Sequence, residues 1–428
     1  MTPTQFFPTL NGVMHAERVP LPQLAAQFGS PLYVYSKAAL VEAWQAYQRG
    51  LTGRNALVCY AMKTNSNLAI LRLFGELGSG FDIVSGGELQ RVIAAGCDPK
   101  KAVFSGVGKS ADEIVLALKH DVLCFNVESE SELLRISEVA ATLQKQARIS
   151  LRVNPDVDAK THPYISTGLK ENKFGVEYET ALDLYKRAAS LPYIEVAGID
   201  CHIGSQLTEI RPYLDALDKV LDLVDALARH GIKLHHLDLG GGLGIRYDKE
   251  EPPAAEDLLA QLFQRIDARG YSKLKVLFEP GRSLVGNAGI LLTQVEYLKH
   301  NADKNFAIVD AAMNDLMRPA LYEAWHGIEP VQPRENKGPA TTYDIVGPVC
   351  ESGDWLGKNR ALTVAQGDLL AILSAGSYAM AMSSNYNTRP RAAEVMVDGD
   401  QVYLIREREQ IQALFAQEQV PVALINMG

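Results

Sequence analysis

The chain is poor in several things. Its five cysteines, Cys59, Cys97, Cys124, Cys201 and Cys350, are an odd number in 428 residues and form no C-x-x-C. That excludes a disulfide framework and a zinc cage, and it suits a reducing compartment, so a cytoplasmic location is expected. No uninterrupted run of about 18 apolar residues occurs, so no membrane-spanning helix is expected. The first twenty residues lack a charged segment followed by an apolar core, the pattern of a signal peptide. Positive charge is in deficit, with 42 lysines and arginines against 51 acids, a formal net charge of −9. Neither nucleic acid nor membrane is expected as a partner of so acidic a chain. Aromatics are scarce at 7%, but 47% hydrophobic and 22% charged residues describe an ordinary globular core rather than disorder. At about 150 residues per domain the length suggests three domains, or two if one is a large barrel.

What is present is a repeating texture. Eight short apolar runs lie between residues 57 and 279: Leu57–Met62, Phe81–Val84, Ala102–Phe104, Val122–Val127, Ile149–Val153, Val196–Cys201, Leu234–Leu239 and Leu274–Phe278. Such runs suit strands buried on both faces, as in parallel sheets. Ser85-x-x-Glu88, Ser110-x-x-Glu113 and Ser129-x-x-Glu132 each follow a run and predict three capping boxes at helix starts. Gly96, Gly231 and Gly270 stand where helices should stop. Eight β-then-α units in some 220 residues predict an α/β fold, a (β/α)8 TIM-type barrel, with an open doubly wound sheet as the alternative. After about residue 285 the texture turns β-rich. Phe306–Asp310, Thr341–Val346, Leu362–Val364 and Leu369–Leu373 read as strands, and Val395–Ile405 as a hairpin turning at Asp398-Gly399. Leu32–Tyr35 stands apart from the eight and fits this second part, and Glu329–Pro339 reads as an exposed loop. The expected division is a barrel over 37–284 and a C-terminal β-rich domain of 1–36 plus 285–428.

In a barrel, the loops after the strands build the site. The first run closes on Lys63 in Tyr60-Ala-Met-Lys-Thr-Asn-Ser-Asn67, where partial desolvation would favour amine chemistry. The sixth ends Cys201-His202-Ile-Gly-Ser205-Gln206, the seventh Asp238-Leu-Gly240-Gly241-Gly242-Leu-Gly244, and the eighth Glu279-Pro280-Gly281-Arg282. Taken singly, each has a plain structural reading: an exposed lysine, a structural histidine, a tight turn, a local ion pair. Other patterns fail on spacing. Gly106-Val-Gly-Lys-Ser110 approaches a phosphate-binding loop, but the earlier glycine position is Val103. His235 and His236 are neighbours on a strand and face opposite ways, so they cannot chelate one metal, and no metal site is expected. Together, an amine, a flat histidine, a glycine turn able to approach a phosphate and a carboxylate match what pyridoxal 5′-phosphate requires.

These motifs, in this order, resemble the signatures of the alanine-racemase-fold (fold type III) decarboxylases. Met317-Arg318-Pro-Ala-Leu-Tyr322, Gly347-Pro-Val-Cys350-Glu351-Ser-Gly-Asp354 and Gly376-Ser-Tyr378-Ala-Met380 resemble the diaminopimelate decarboxylases among them. His162–Gly168 with Lys173-Phe-Gly175 fits as well, and the resemblance spans roughly residues 30–425. It implies that Lys63 carries the cofactor, that His202 stacks on its ring, and that Ser205, Gly240, Gly241, Gly242, Gly281 and Arg282 surround its phosphate. It further implies that Glu279, next to Pro280, meets the pyridine nitrogen, that Tyr378 lies near cofactor and substrate, and that Cys350 donates a proton after CO2 has left. Arg282, Arg318, Tyr322 and Glu351 would then read the far amino-acid head of the substrate. The implied reaction is meso-2,6-diaminopimelate to L-lysine and CO2, in a homodimer with shared sites. A same-fold decarboxylase of another basic amino acid or of carboxynorspermidine, and a non-catalytic cofactor-binding homologue, are the alternatives.

Overall fold

The computed structural model describes residues 4–157, 173–334 and 340–421; the expected His162–Gly168 loop and part of the 329–339 loop lie outside them. The chain divides into two compact units, Ala39–Asn287 and Thr2–Ala38 with Ala288–Gly428.

The first unit is a closed barrel. Its strands are β1 Ala56–Ala61, β2 Gly80–Ile83, β3 Ala102–Phe104, β4 Cys124–Val127, β5 Ala147–Asn154, β6 Ile194–Asp200, β7 His236–Asp238 and β8 Lys275–Phe278. Each pairs in parallel with its neighbours, β8 with β1 included, so no edge remains. The connecting helices are α1 Leu68–Glu76, α2 Gly86–Ala94, α3 Ala111–Lys119, α4 Glu130–Leu143, α5 Tyr178–Ser190, α6 Arg211–Arg229 and α7 Ala255–Ala268. After β8 come only the short helical turns Arg282–Val285 and Gly286–Ala288. The eighth helical place is filled from the other end of the barrel sequence, by the helix Lys37–Gly50 ahead of β1. Its Arg49 pairs with Glu256 of α7, and its Trp44 ring lies 6.0 Å from Phe74 of α1. The order is therefore helix first, not eight strand-then-helix units.

Local signals explain the helix ends. Ser85, Ser110 and Ser129 each accept the backbone N–H of the glutamate three residues on. The reciprocal bond closes only at Ser110; Glu88 and Glu132 reach one residue further back, to the N–H groups of Val84 and Glu128. Gly96, at φ 68°, takes the left-handed position just past α2. Lys109, of the rejected phosphate-loop pattern, is buried and donates to the carbonyls of Gly106 and Asn126 and to Glu132, a structural role.

The second unit is a sheet in the order Trp355–Leu362, Thr341–Val346, Asn305–Val309, Gly289–His300, Leu32–Ser36, Ala393–Asp398, Gln401–Arg406. Leu369–Ile372 also pairs with Gly289–His300 and with Ile328–Pro330. Leu32 and Val34 pack with Ile290, Leu292, Val395 and Val397 on one face, as period-two alternation requires. On the other, Tyr33 donates to the Asp315 carbonyl and Tyr35 to Glu394. The sequence pattern misses one strand and misplaces another. Gly289–His300 runs for 12 residues, and Trp355–Leu362 ends where Leu362–Val364 was expected to begin, because Lys358, Asn359 and Arg360 interrupt its hydrophobic pattern. The hairpin turn lies at Gly399-Asp400, one residue later than expected, since Asp398 still pairs with Gln401.

Candidate active site

Several barrel strands carry a polar residue inside an apolar run: Asp82 on β2, Asn126 on β4, Arg152 on β5, Asp200 on β6 and Asp238 on β7, all buried. Register puts Asp200 opposite both Arg152 and Asp238, so the three share one level of the barrel. Glu279 follows β8 and joins them; single oxygens of Asp200, Asp238 and Glu279 lie within 4.8 Å of one another. Burial, then the charge of neighbouring Asp238, holds Glu279 well above the usual carboxylate range. Burial also raises Asp238 to about 6 and lifts Asp200. Arg152 is the adjoining cation, with Nε 3.9 Å from Asp200 and a terminal nitrogen 3.3 Å from Glu128. Asp82 Oδ1, Asp200 Oδ1 and Asp238 Oδ2 are buried without a hydrogen-bond partner among the described residues. Such a cluster carries a demand for positive charge or for protons that the neighbouring side chains meet only in part.

Lys63 sits in a 3-10 turn directly after β1, one-third exposed, with Nζ 2.6 Å from Asp82 Oδ2. His202, after β6, accepts the Gly241 N–H at Nδ1, 3.2 Å away, which leaves the proton on Nε2. Burial, and then the charges of Arg152 and Lys63, pushes its pKa well below the usual value, so the ring is neutral. The neighbouring candidate His236 is also neutral, lowered to about 4 by burial and 2.9 Å from Ser150 Oγ, whereas His235 points outward near Glu195.

The glycine turn also braces the protein itself. The Gly240 N–H goes to Asp238 and the Gly241 N–H to His202, so two of the three donors are held inside the protein. What glycine supplies at Gly241 is closeness: an added Cβ would lie 2.0 Å from the Glu279 carbonyl oxygen. The loops are sewn together, with Glu279 N–H on the Gly240 carbonyl and Ala61 N–H on the Pro280 carbonyl. Gly281 lies against Thr64 and Ala61. Arg282, buried, donates to Ser205 Oγ from Nε and a terminal nitrogen at 3.3 and 3.0 Å, and to Tyr247 Oη at 2.6 Å. Lys63, His202, Ser205, the glycines, Glu279, Pro280, Gly281 and Arg282 thus share one end of the barrel. Asp82, Asp200, Asp238 and Arg152 join them there. Their signal in the sequence was a charge at an inward position of an otherwise apolar strand.

The second unit holds the other candidates. Cys350 is exposed and its N–H donates to Asn387 Oδ1. Buried Asp354 anchors that loop, accepting the N–H groups of Val349 and Met313. Glu351 is exposed and accepts from the Tyr386 hydroxyl, whose pKa that carboxylate raises. Tyr378 is half-buried at φ 52°, a left-handed backbone costly for a bulky residue. Arg318 is buried at the start of the short helix Arg318–Tyr322, where Tyr322 is half-buried.

The model of the pyridoxal-dependent decarboxylase pyridoxal-binding domain matches residues 37–286. The chain is similar to a diaminopimelate decarboxylase of Pseudomonas aeruginosa, 58% identical over 95% of this chain and 96% of that protein. Among solved structures it resembles diaminopimelate decarboxylase from Helicobacter pylori complexed with L-lysine (TM-score 0.89, 43% identity, 93% of this chain and 99% of that one). It also resembles the enzyme from M. jannaschii in co-complex with L-lysine (TM-score 0.94, 39% identity, 99% of this chain and 100% of that one). The chain belongs to the pyridoxal-dependent decarboxylases, in the diaminopimelate decarboxylase family.

Proposed function

We propose that, as a member of this family, the chain is a pyridoxal-phosphate-dependent carboxy-lyase that converts meso-2,6-diaminopimelate to L-lysine and CO2, the last step of lysine biosynthesis. The observation that carries the reading is a lysine ion-paired at the barrel mouth beside buried carboxylates with unmet hydrogen-bonding capacity. That donor set fits the cofactor: an amine for its carbonyl carbon, anions for a protonated ring nitrogen, and an arginine with a hydroxyl for its phosphate. Lys63, His202, Ser205, Gly240, Gly241, Gly242, Glu279, Pro280, Gly281, Arg282 and Tyr378 would hold it. When bound, pyridoxal 5′-phosphate supplies an electron sink for the pair left behind as CO2 departs.

The chain's own residues do the rest. Asp82 Oδ2 accepts a hydrogen bond from Lys63 Nζ across 2.6 Å and so orients that amine at the barrel mouth. Neutral His202 offers a flat ring without adding a cation beside one. Glu279, with Asp238 behind it, holds a proton at the ring nitrogen, because a cation there stabilises the carboxylates that burial disfavours. Arg282, held by hydrogen bonds to Ser205 and Tyr247, matches a dianion. Cys350 delivers a proton to the carbon that has lost CO2, and Arg318, Tyr322, Glu351 and Arg282 read the distal carboxylate and ammonium. Its exposure in a single chain supports a homodimer in which Cys350 serves the partner's site. No helix among the described residues is long and apolar enough to cross a membrane, and a cytoplasmic location is part of the same proposal. The test is CO2 release from meso-diaminopimelate, L-lysine and L-ornithine, each with and without added cofactor; release from the first alone supports the reading.

A further inference from the structure

Eight residues beyond Arg318, His326 is fully buried and makes two directional bonds. Its Nδ1 lies 2.8 Å from the Leu373 carbonyl oxygen and its Nε2 lies 2.8 Å from a terminal nitrogen of Arg318. Neither partner can reverse its role. A carbonyl oxygen only accepts and a guanidinium only donates, so Nδ1 carries the proton and Nε2 presents a lone pair. The ring is therefore an uncharged acceptor aimed at the guanidinium.

The surroundings fix that aim. Glu323, at φ 52°, turns the chain back after the Arg318–Tyr322 helix, bringing residue 326 to the start of the same helix. Arg360 on the strand Trp355–Leu362 donates to the His326 carbonyl at 2.8 Å, and its guanidinium covers the Trp325 ring at 3.1 Å. The Leu373 N–H donates to the Gly327 carbonyl at 2.8 Å, which ties the Leu373 side of the contact to the next residue. Backbone and ring are both held, and what the ring holds in turn is one arm of Arg318. A carboxylate in this place would orient the arginine equally well but would cancel its charge. A neutral imidazole orients it and adds no countercharge of its own.

We propose that His326 is a positioning residue for substrate recognition: it orients the Arg318 guanidinium toward the distal carboxylate of the amino-acid substrate. This rests on the reading of Arg318 given above. Two substitutions separate orientation from buttressing. His326→Asn keeps a donor near the Nδ1 position, for Leu373, and removes the acceptor. His326→Gln keeps an acceptor near the Nε2 position and gives up the Leu373 bond.

The measurements are kcat and KM for meso-diaminopimelate in the cofactor-loaded enzyme, with inhibition by L-lysine and by 1,5-diaminopentane. L-lysine retains the distal carboxylate, since the group lost is at the other end; the diamine has none. His326→Asn is expected to raise KM and the L-lysine inhibition constant about tenfold, the loss of one hydrogen bond to a charged group, with kcat near wild type. His326→Gln should stay close to wild type, and diamine inhibition should move in neither. Wild-type KM in the Asn variant, a Gln variant worse than Asn, or an equal shift for the diamine overturns the proposal. If the Asn variant does not fold, the Gln variant decides: KM near wild type supports orientation, and KM as high as in Arg318→Ala refutes it. Arg318→Ala is run alongside; if it leaves KM unchanged, the assignment of Arg318 to the carboxylate fails, a different failure from that of His326 alone.

Discussion

Asp82 and Lys63 form a pair in which one partner is fully buried and the other reaches the barrel mouth. If Asp82 orients the lysine amine, Asp82→Asn should lower kcat/KM by about a hundredfold while cofactor still binds, the scale of a misplaced reacting group. Steady-state kinetics with the visible absorbance of bound cofactor checks both halves. Glu279 makes a second prediction, with a sign. Its folded pKa, like that of Asp238 at about 6, is raised, so these groups favour the fold while protonated. That stability is fully present below the unfolded carboxylate value and is lost as pH rises through the folded values. Cofactor-free protein should therefore melt at falling temperature as pH climbs from about 4 to 8. Glu279→Gln should flatten the profile, raising Tm at pH 8 while lowering activity; an unchanged pH slope by calorimetry contradicts it. Asp82, Arg152 and Asp200 lie in runs such as Phe81–Val84 that read as apolar, so the eye passes over them. Only closure of the barrel shows that these charges share one interior, because the sequence gives alternation along a strand and not the level across strands.

At the scale of elements, the β/α alternation is readable because apolar runs, serine caps and stopping glycines agree. The helix Lys37–Gly50 completes the ring from outside the repeat, and no local pattern marks it as the eighth. The strands of the second unit are less legible, since pairing partners there lie far apart: Leu32–Ser36 lies between Gly289–His300 and Ala393–Asp398. Lys109 joins the β3–α3 loop to α4 through a buried pair with Glu132, 2.6 Å apart. Lys109→Met should destabilise the barrel by about 3–5 kcal/mol, because it leaves Glu132 buried without its cation. Denaturant unfolding measures this, and a change under about 1 kcal/mol would mean that the pair is solvated after all.

At the scale of the whole molecule, the resemblance implies that two copies share each site, and this has a direct consequence. Lys63→Ala and Cys350→Ala proteins, each inactive alone, should regain about a quarter of wild-type activity when dissociated and reassembled together, since half the random dimers then carry one intact site. Sites built within single chains would regain none. The central claim is that the barrel's lysine and acid cluster serve decarboxylation of a substrate with two amino-acid heads. Its most direct test is turnover of meso-diaminopimelate with the chirality of the product determined. The account predicts CO2 and L-lysine in equal amounts, with L-lysine and L-ornithine left unconsumed. Consumption of either in preference to diaminopimelate, or exchange of the α-hydrogen with solvent without release of CO2, would contradict it.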